Sequence, residues 1–229
     1  MTRSRRASRS VSRSAGFSFM EILVVMGIIA VLVGLSVGIF KIVGKKGPEM
    51  RTRALLMKVR TNVDSWRGNF KAWPPSNLNN LGAVTGLRLS VGKAQPPNDT
   101  NWGIESLVQC LLMPGYDHNA EIDEDLVNTD ADELDKAFAK SGIATLSEVK
   151  DAWGNPLVYF TDADYAQAEK NPPTYITGED SAMHGDAVTP KPWRNPNGAF
   201  AQQGAYQIYS MGEDGKPNTD DDLKAWTSN

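Results

Sequence analysis

Gly16-Phe17-Ser18-Phe19-Met20-Glu21-Ile22-Leu23-Val24-Val25 opens the stretch that decides how this chain is built. From Ile22 to Phe40, nineteen residues pass without a charge, and nearly all are Ile, Leu, Val, Met, Ala or Gly. At a helical rise of about 1.5 Å per residue, such a run is long enough to cross a hydrocarbon core of about 30 Å, so it predicts a transmembrane helix. An ordinary secretory signal has an apolar region of about 7–15 residues and a small-residue cleavage site after it. Here the small residues Ala15 and Gly16 come first, so a cut after them leaves the apolar helix at the new N-terminus. The segment ahead of the cut carries Arg3, Arg5, Arg6, Arg9 and Arg13 and no acid. By the positive-inside rule this favours a cytoplasmic start, with the rest of the chain sent outward. Lys41, Lys45 and Lys46 beyond the helix weaken that bias without reversing it.

Taking away those five arginines moves the formal net charge from −3 to −8, so the chain beyond residue 16 is acidic. A nucleic-acid-binding body needs a basic face that tracks phosphates, and no Lys/Arg cluster of that kind occurs after residue 60. The single cysteine, Cys110, rules out an intramolecular disulfide and reads as a small buried hydrophobe, with no His or basic neighbour in sequence to activate it.

After a Gly44–Pro48 break, which reads as a flexible joint, apolar residues recur at Leu56, Val59, Val63, Trp66, Phe70 and Trp73. Steps of three and four line one face of an amphipathic helix, with Arg51, Arg53, Lys58, Arg60, Asp64 and Arg67 around the rest. Trp73-Pro74-Pro75 ends it. The fold expected is α+β: a leader over 1–16, a transmembrane and assembly helix over 17–43, its amphipathic continuation over 44–75, and a globular domain over 76–229. In that domain the helix packs on a small antiparallel β-sheet.

Within the domain, 76–100 reads as loop and Ile104–Met113 as a short helix, Asp132–Ala139 has helical spacing, and Leu146–Val149 begins another turn. Nine acids lie between Asp117 and Asp135. An EF-hand frame begun at Asp117 has Ile122 where glycine is needed and Asn128 where the closing glutamate is needed, so this stretch reads as a solvated acidic surface. Asp151–Pro156 is turn chemistry feeding a strand over Leu157–Phe160, and Ala205–Ser210 reads as its antiparallel partner. The 161–203 segment between them, heavy in Pro, Gly and Asp, reads as a long loop. His118 and His184 have no Cys or second His at ligand spacing, which disfavours zinc, and no Ser/His/Asp or Cys/His constellation points to an enzyme.

The tail from Ser210 to Leu223 holds Asp214, Asp220, Asp221 and Asp222 within nine residues, together with Gly212 and Gly215. Calcium takes six to eight oxygens from carboxylates and carbonyls, and a tight glycine turn lets both kinds converge. Composition alone leaves two readings open, a bound cation or a plain solvated tail.

Two sets of residues carry a resemblance to a known family. Gly16-Phe17-Ser18-Phe19-Met20-Glu21 with the apolar run behind it resembles the processing motif of type IV prepilins and pseudopilins. The resemblance implies cleavage after Gly16 by a prepilin peptidase, methylation of the Phe17 amine, and pairing of Glu21 with the N-terminal amine of a neighbouring subunit. Tyr209 through Trp226 resembles the calcium loop of major type II secretion pseudopilins, and Asp151 through Tyr159 resembles that family's turn and strand, with Ala152 in place of a proline. Carried over by position, Asp214, Asp221 and Asp222 would hold structural calcium, with main-chain carbonyls of Met211 and Lys216 and also Thr219.

The resemblance covers roughly residues 16–75, 151–160 and 205–226, and implies a pilin-like fold with enlarged loops. The expected role is a structural subunit of a type II secretion pseudopilus. The expected partners are further copies of itself, other pseudopilins and inner-membrane assembly proteins. The expected place is the inner membrane, single-pass, with a periplasmic C-terminal domain. A surface pilin for adhesion, motility or DNA uptake is the alternative, although many of these carry a C-terminal disulfide that one cysteine cannot make.

Overall fold

The computed structural model describes residues 18–78, 100–112, 122, 126–130, 132, 145–178 and 185–227, with 34–45 as backbone only. Two compact units divide the chain, Met1–Lys45 and Lys46–Asn229, and helix α1, Phe19–Phe70, contributes to both.

In the first unit every residue from Ser18 to Val33 is exposed. Among the described residues no helix is long and apolar enough to cross a membrane. The transmembrane helix expected over 17–43 is therefore corrected. So is the single-pass inner-membrane location with a periplasmic domain that rested on it.

The second unit begins with the amphipathic part of α1. Pro48 lies inside the helix, so the expected Gly44–Pro48 break is not a break in helical structure, although proline removes a donor there and the change of unit falls within the preceding turn. Leu56, Val59, Val63 and Trp66 are buried in the core, and Phe70 and Trp73 pack against it partly covered, so the stripe read from the sequence faces inward. Burying a side chain of this size stabilises by about 1.5–3 kcal/mol. The helix stops at Phe70, and Lys71 turns left-handed at φ 60° with its N–H bonded to the Arg67 carbonyl at 2.9 Å.

The principal sheet is three-stranded and antiparallel, in the order β3 (Val158–Thr161), β6 (Tyr206–Ser210), β7 (Leu223–Lys224). Val158 pairs with Tyr209 and Thr161 with Tyr206, the antiparallel pairing expected from the sequence. Both β3 and β6 are buried along their whole length, which is why neither alternates polar with apolar residues. Helix α2, Trp102–Leu111, packs on β3, and Gly103 lets it approach closely, since a Cβ there would meet the Tyr159 carbonyl oxygen. Two short ribbons complete the described strands, β1 (Leu126–Val127) with β2 (Glu148–Val149) and β4 (Tyr175–Ile176) with β5 (Ala187–Val188).

Two local expectations change. Leu146–Val149 is not helical, because Glu148 and Val149 pair across to Val127 and Leu126. The 161–203 segment is not a plain loop: it carries a 3-10 turn (Asp162–Asp164), helix α3 (Tyr165–Lys170), β4 and β5. Its later part is stitched to β6 by buried Gln207, which donates to the Trp193 and Ala201 carbonyls at 2.9 and 2.8 Å and accepts from Trp193 N–H at 2.6 Å. The rest of the 76–100 loop beyond Leu78 and Thr100, and the Asp132–Ala139 helix beyond Asp132, lie outside the described residues.

Candidate functional site

Gly16 and Phe17 lie outside the described residues, as do His118 and His184. Glu21 is described, and it closes a capping box. One Glu21 carboxylate oxygen accepts the Ser18 N–H at 3.0 Å, while the Ser18 hydroxyl oxygen accepts the Met20 N–H at 3.3 Å, so two of the free donors at the start of α1 are satisfied. The same carboxylate that the resemblance assigns to a neighbouring subunit thus has a partner in its own chain. Cys110 is fully buried on α2, and burial pushes its thiol well up, which leaves it inert.

The structure brings the C-terminal acids into one closed loop. Asp221 accepts the Asp214 N–H at 3.1 Å and the Thr219 hydroxyl at 2.6 Å, and Asp222 accepts the Asn218 N–H at 2.8 Å. Asp214 accepts the Lys216 N–H at 2.8 Å, and the Thr219 hydroxyl also lies 3.1 Å from the Lys216 carbonyl oxygen. Gly212 makes the loop possible twice over: its φ is +67°, and a Cβ there would run into the Asp221 carboxylate. Met211 is buried below the loop. Burial lifts the Asp222 carboxyl to about 6 against its hydrogen bonds. At Asp221, slight burial is outweighed by the Thr219 hydroxyl and backbone N–H groups, and the carboxyl sits below its usual value.

The Asp151 turn anchors this loop. Asp151 accepts the Trp153 and Asn155 N–H groups, each at 2.9 Å, and the Ser210 hydroxyl at 2.5 Å. Asn155 donates to the Gly212 carbonyl at 3.0 Å, and the Ala152 N–H reaches the Thr52 hydroxyl of α1 at 3.1 Å. The tail and the amphipathic part of α1 therefore both meet the Asp151–Asn155 turn.

A second acidic site was not foreseen. Among the described residues, the one set of three carboxylates whose oxygens lie within 4.8 Å of one another is Glu105, Asp130 and Glu148, all buried. Glu105 stands one turn into α2, Asp130 three residues beyond β1, and Glu148 on β2, opposite Val127. Glu148 is clamped: it accepts Asn101 Nδ2 at 2.6 Å, the Thr129 hydroxyl at 3.0 Å and the Thr129 N–H at 3.2 Å. Asn101 itself, left-handed at φ 56°, also accepts the Ile176 N–H at 3.1 Å.

Glu105 and Asp130 have no such help. Among the described residues none of their four carboxylate oxygens has a hydrogen-bond donor, and neither has either oxygen of Asp132 nearby. A hydrogen bond between Asp130 and Asp132 forms only if one of them holds a proton. At an effective dielectric of about 20, two unit charges 4.8 Å apart repel by roughly 3 kcal/mol. Burial, then the surrounding carboxylates, pushes Glu105 well above the usual range. Burial likewise takes Asp132 to about 8 and Glu148 to about 7. Such a group can be neutral through protons or compensated by a cation.

Sequence reading missed this cluster because Asp130 sits in the acid-rich stretch read as solvated surface, whereas its side chain is only 5% exposed. The available signal was Glu105, a lone acid in Ile104-Glu105-Ser106-Leu107-Val108, on a helix too apolar to offer it a wet face. Comparison with protein-family models, curated proteins and solved structures found nothing that matches this chain.

Proposed function

We propose that the chain is a structural subunit of a pseudopilus-type filament that drives protein export across an outer membrane, polymerising through the N-terminal part of α1. One observation carries this reading. Twelve large apolar side chains between Phe19 and Val33 are left 49–79% exposed, and they point to all sides of the helix. An apolar helix of this kind belongs in a buried setting. A single groove covers one face only, whereas packing among several like helices covers the whole circumference. Repeated head-to-tail contact between identical chains gives an open helical filament. Covering half-exposed side chains of this size contributes on the order of 1 kcal/mol each before the costs of association.

The capping box on Ser18 and Glu21 starts the helix within its own chain, so pairing of Glu21 with a neighbouring amine requires one partner to be exchanged for another. The prepilin peptidase, acting at Gly16, and other pseudopilins are the proposed partners. The closed C-terminal loop is proposed to take structural calcium through Asp214, Asp221 and Asp222, with oxygens of Met211, Lys216 and Thr219. In this reading the chain is not an enzyme.

Two measurements test the filament. Leu23→Glu with Ile29→Glu abolishes assembly seen by sedimentation and negative-stain microscopy, while the melting temperature of the second unit is unchanged. Loss of the whole chain leaves exported enzymes stranded behind the outer membrane. Unimpaired secretion without it, or filaments that form despite both glutamates, defeats the proposal.

A further inference from the structure

The buried carboxylates of the middle region share no residue with the C-terminal loop. We propose that Glu105, Asp130 and Glu148 are the ligand core of a buried divalent-cation site of the calcium class. Glu105 is fully buried, both of its oxygens lack a hydrogen-bond partner, and it sits with an oxygen within 4.8 Å of those of Asp130 and Glu148. Both Asp130 oxygens are equally without a donor. The ion pairs among the described residues, Arg53–Glu49, Arg60–Asp64 and Arg194–Glu169, do not reach the group.

The donor set is all oxygen, which suits hard cations; among the described residues it includes no thiol or imidazole of the kind zinc favours. Hydration separates the hard cations. Calcium binds oxygen at about 2.3–2.6 Å, so its coordination sphere is about 4.6–5.2 Å across, and oxygens that all lie within 4.8 Å of one another fit it. Magnesium dehydrates reluctantly and usually keeps several waters, which carboxylates buried this closely together disfavour. Glu105 and Asp130 each offer two free oxygens for bidentate contact. Glu148 is already oriented by Asn101 and Thr129, the kind of outer support that fixes a ligand in place. Asp132, with both oxygens free of donors, stands two residues from Asp130 as a reserve ligand. The cation would tie α2, the segment after β1 and β2 together, closing the middle region around its own charge.

The test is calcium binding by the full chain, measured by calorimetry and thermal melting. Glu105 makes no hydrogen bond, so Glu105→Gln removes charge without breaking one; Asp130→Asn is the second variant. Each is expected to bind one calcium ion fewer per chain than wild type and to show a smaller rise in Tm on calcium addition. In an Asp221→Ala, Asp222→Ala chain the Glu105-dependent ion is expected to remain, which separates this site from the C-terminal loop. Equal stoichiometry in wild type and both variants overturns the site. So does a Glu105→Gln chain that is stabilised by the same amount with and without calcium, because the charge is then held by protons.

Discussion

The C-terminal loop and the buried cluster of the middle region are both built from aspartate and glutamate, yet they treat charge in opposite ways. In the loop, Asp214, Asp221 and Asp222 each accept at least one N–H or hydroxyl from the same short segment, and Asp214 and Asp221 stay exposed to water. In the cluster, only Glu148 has donors, and Glu105 and Asp130 are buried with none. The density of acids along the chain is therefore a poor guide to where charge is uncompensated. Burial and the supply of donors decide it.

The largest effect is expected where the loop is tied to the rest of the domain. Asp151→Ala leaves the Trp153 and Asn155 N–H groups and the Ser210 hydroxyl without their acceptor in a buried place. A hydrogen bond to a charged group contributes about 1.5–3 kcal/mol, so a loss of about 3–5 kcal/mol is expected in urea denaturation. A loss under about 1 kcal/mol means that the loop closes without its anchor, and the contrast with the cluster then rests on the loop residues alone.

A smaller effect, of opposite character, is expected in the cluster. Free carboxyls titrate near 3.8–4.5, whereas here burial and like charge raise Glu148 to about 7 and Asp132 to about 8, with Glu105 also raised. An acid whose folded value is raised stabilises below its unfolded value, and that contribution is lost as pH rises through the folded one. With divalent ions chelated, Tm should therefore fall from about pH 4.5 to about pH 8. The groups facing one another there are Glu105 from α2, Asp130 and Asp132 after β1, and Glu148 from β2, with Asn101 and Thr129 as donors. Glu105→Gln should flatten this slope, and a wild-type Tm independent of pH over that range removes the picture of carboxylates facing one another in a buried place.

The two regions also differ in how far they could be read from sequence. The loop was legible because its residues are contiguous: glycines, acids and turn formers within one segment specify a closed turn locally. The stripe Leu56, Val59, Val63, Trp66 and the β3–β6 pairing were legible for the same reason, periodicity in one case and two apolar runs in the other. The cluster joins residues 105, 130 and 148, and nothing local distinguishes Asp130 from its solvated neighbours. The strand at Glu148–Val149 was hidden likewise, since a two-residue strand exists only through its partner. The later part of the 161–203 segment is held by Gln207, just beyond it, through the Trp193 and Ala201 carbonyls, and not by any periodicity of its own. The apolar start of α1 was legible as apolar but not as membrane-crossing, because composition gives the need for burial and not the solvent that meets it.

The smallest expected effect compares two adjacent aspartates. Asp220 is exposed, while Asp221 accepts the Asp214 N–H and the Thr219 hydroxyl. With calcium chelated, Asp220→Ala should change stability by no more than about 0.5 kcal/mol, and Asp221→Ala should cost about 1 kcal/mol. The folded Asp221 carboxyl sits below its usual value, so its contribution is present above about pH 3.8 and fades as pH falls. Adding calcium should leave the Asp220 value where it was and enlarge the Asp221 value, because a ligand that binds only the folded chain stabilises it in proportion to the logarithm of its concentration. If both values are unchanged by calcium, the loop is closed by its own donors. The cluster at Glu105 is then the better claimant for the ion, and the contrast between the two regions becomes one between charge that hydrogen bonds can settle and charge that they cannot.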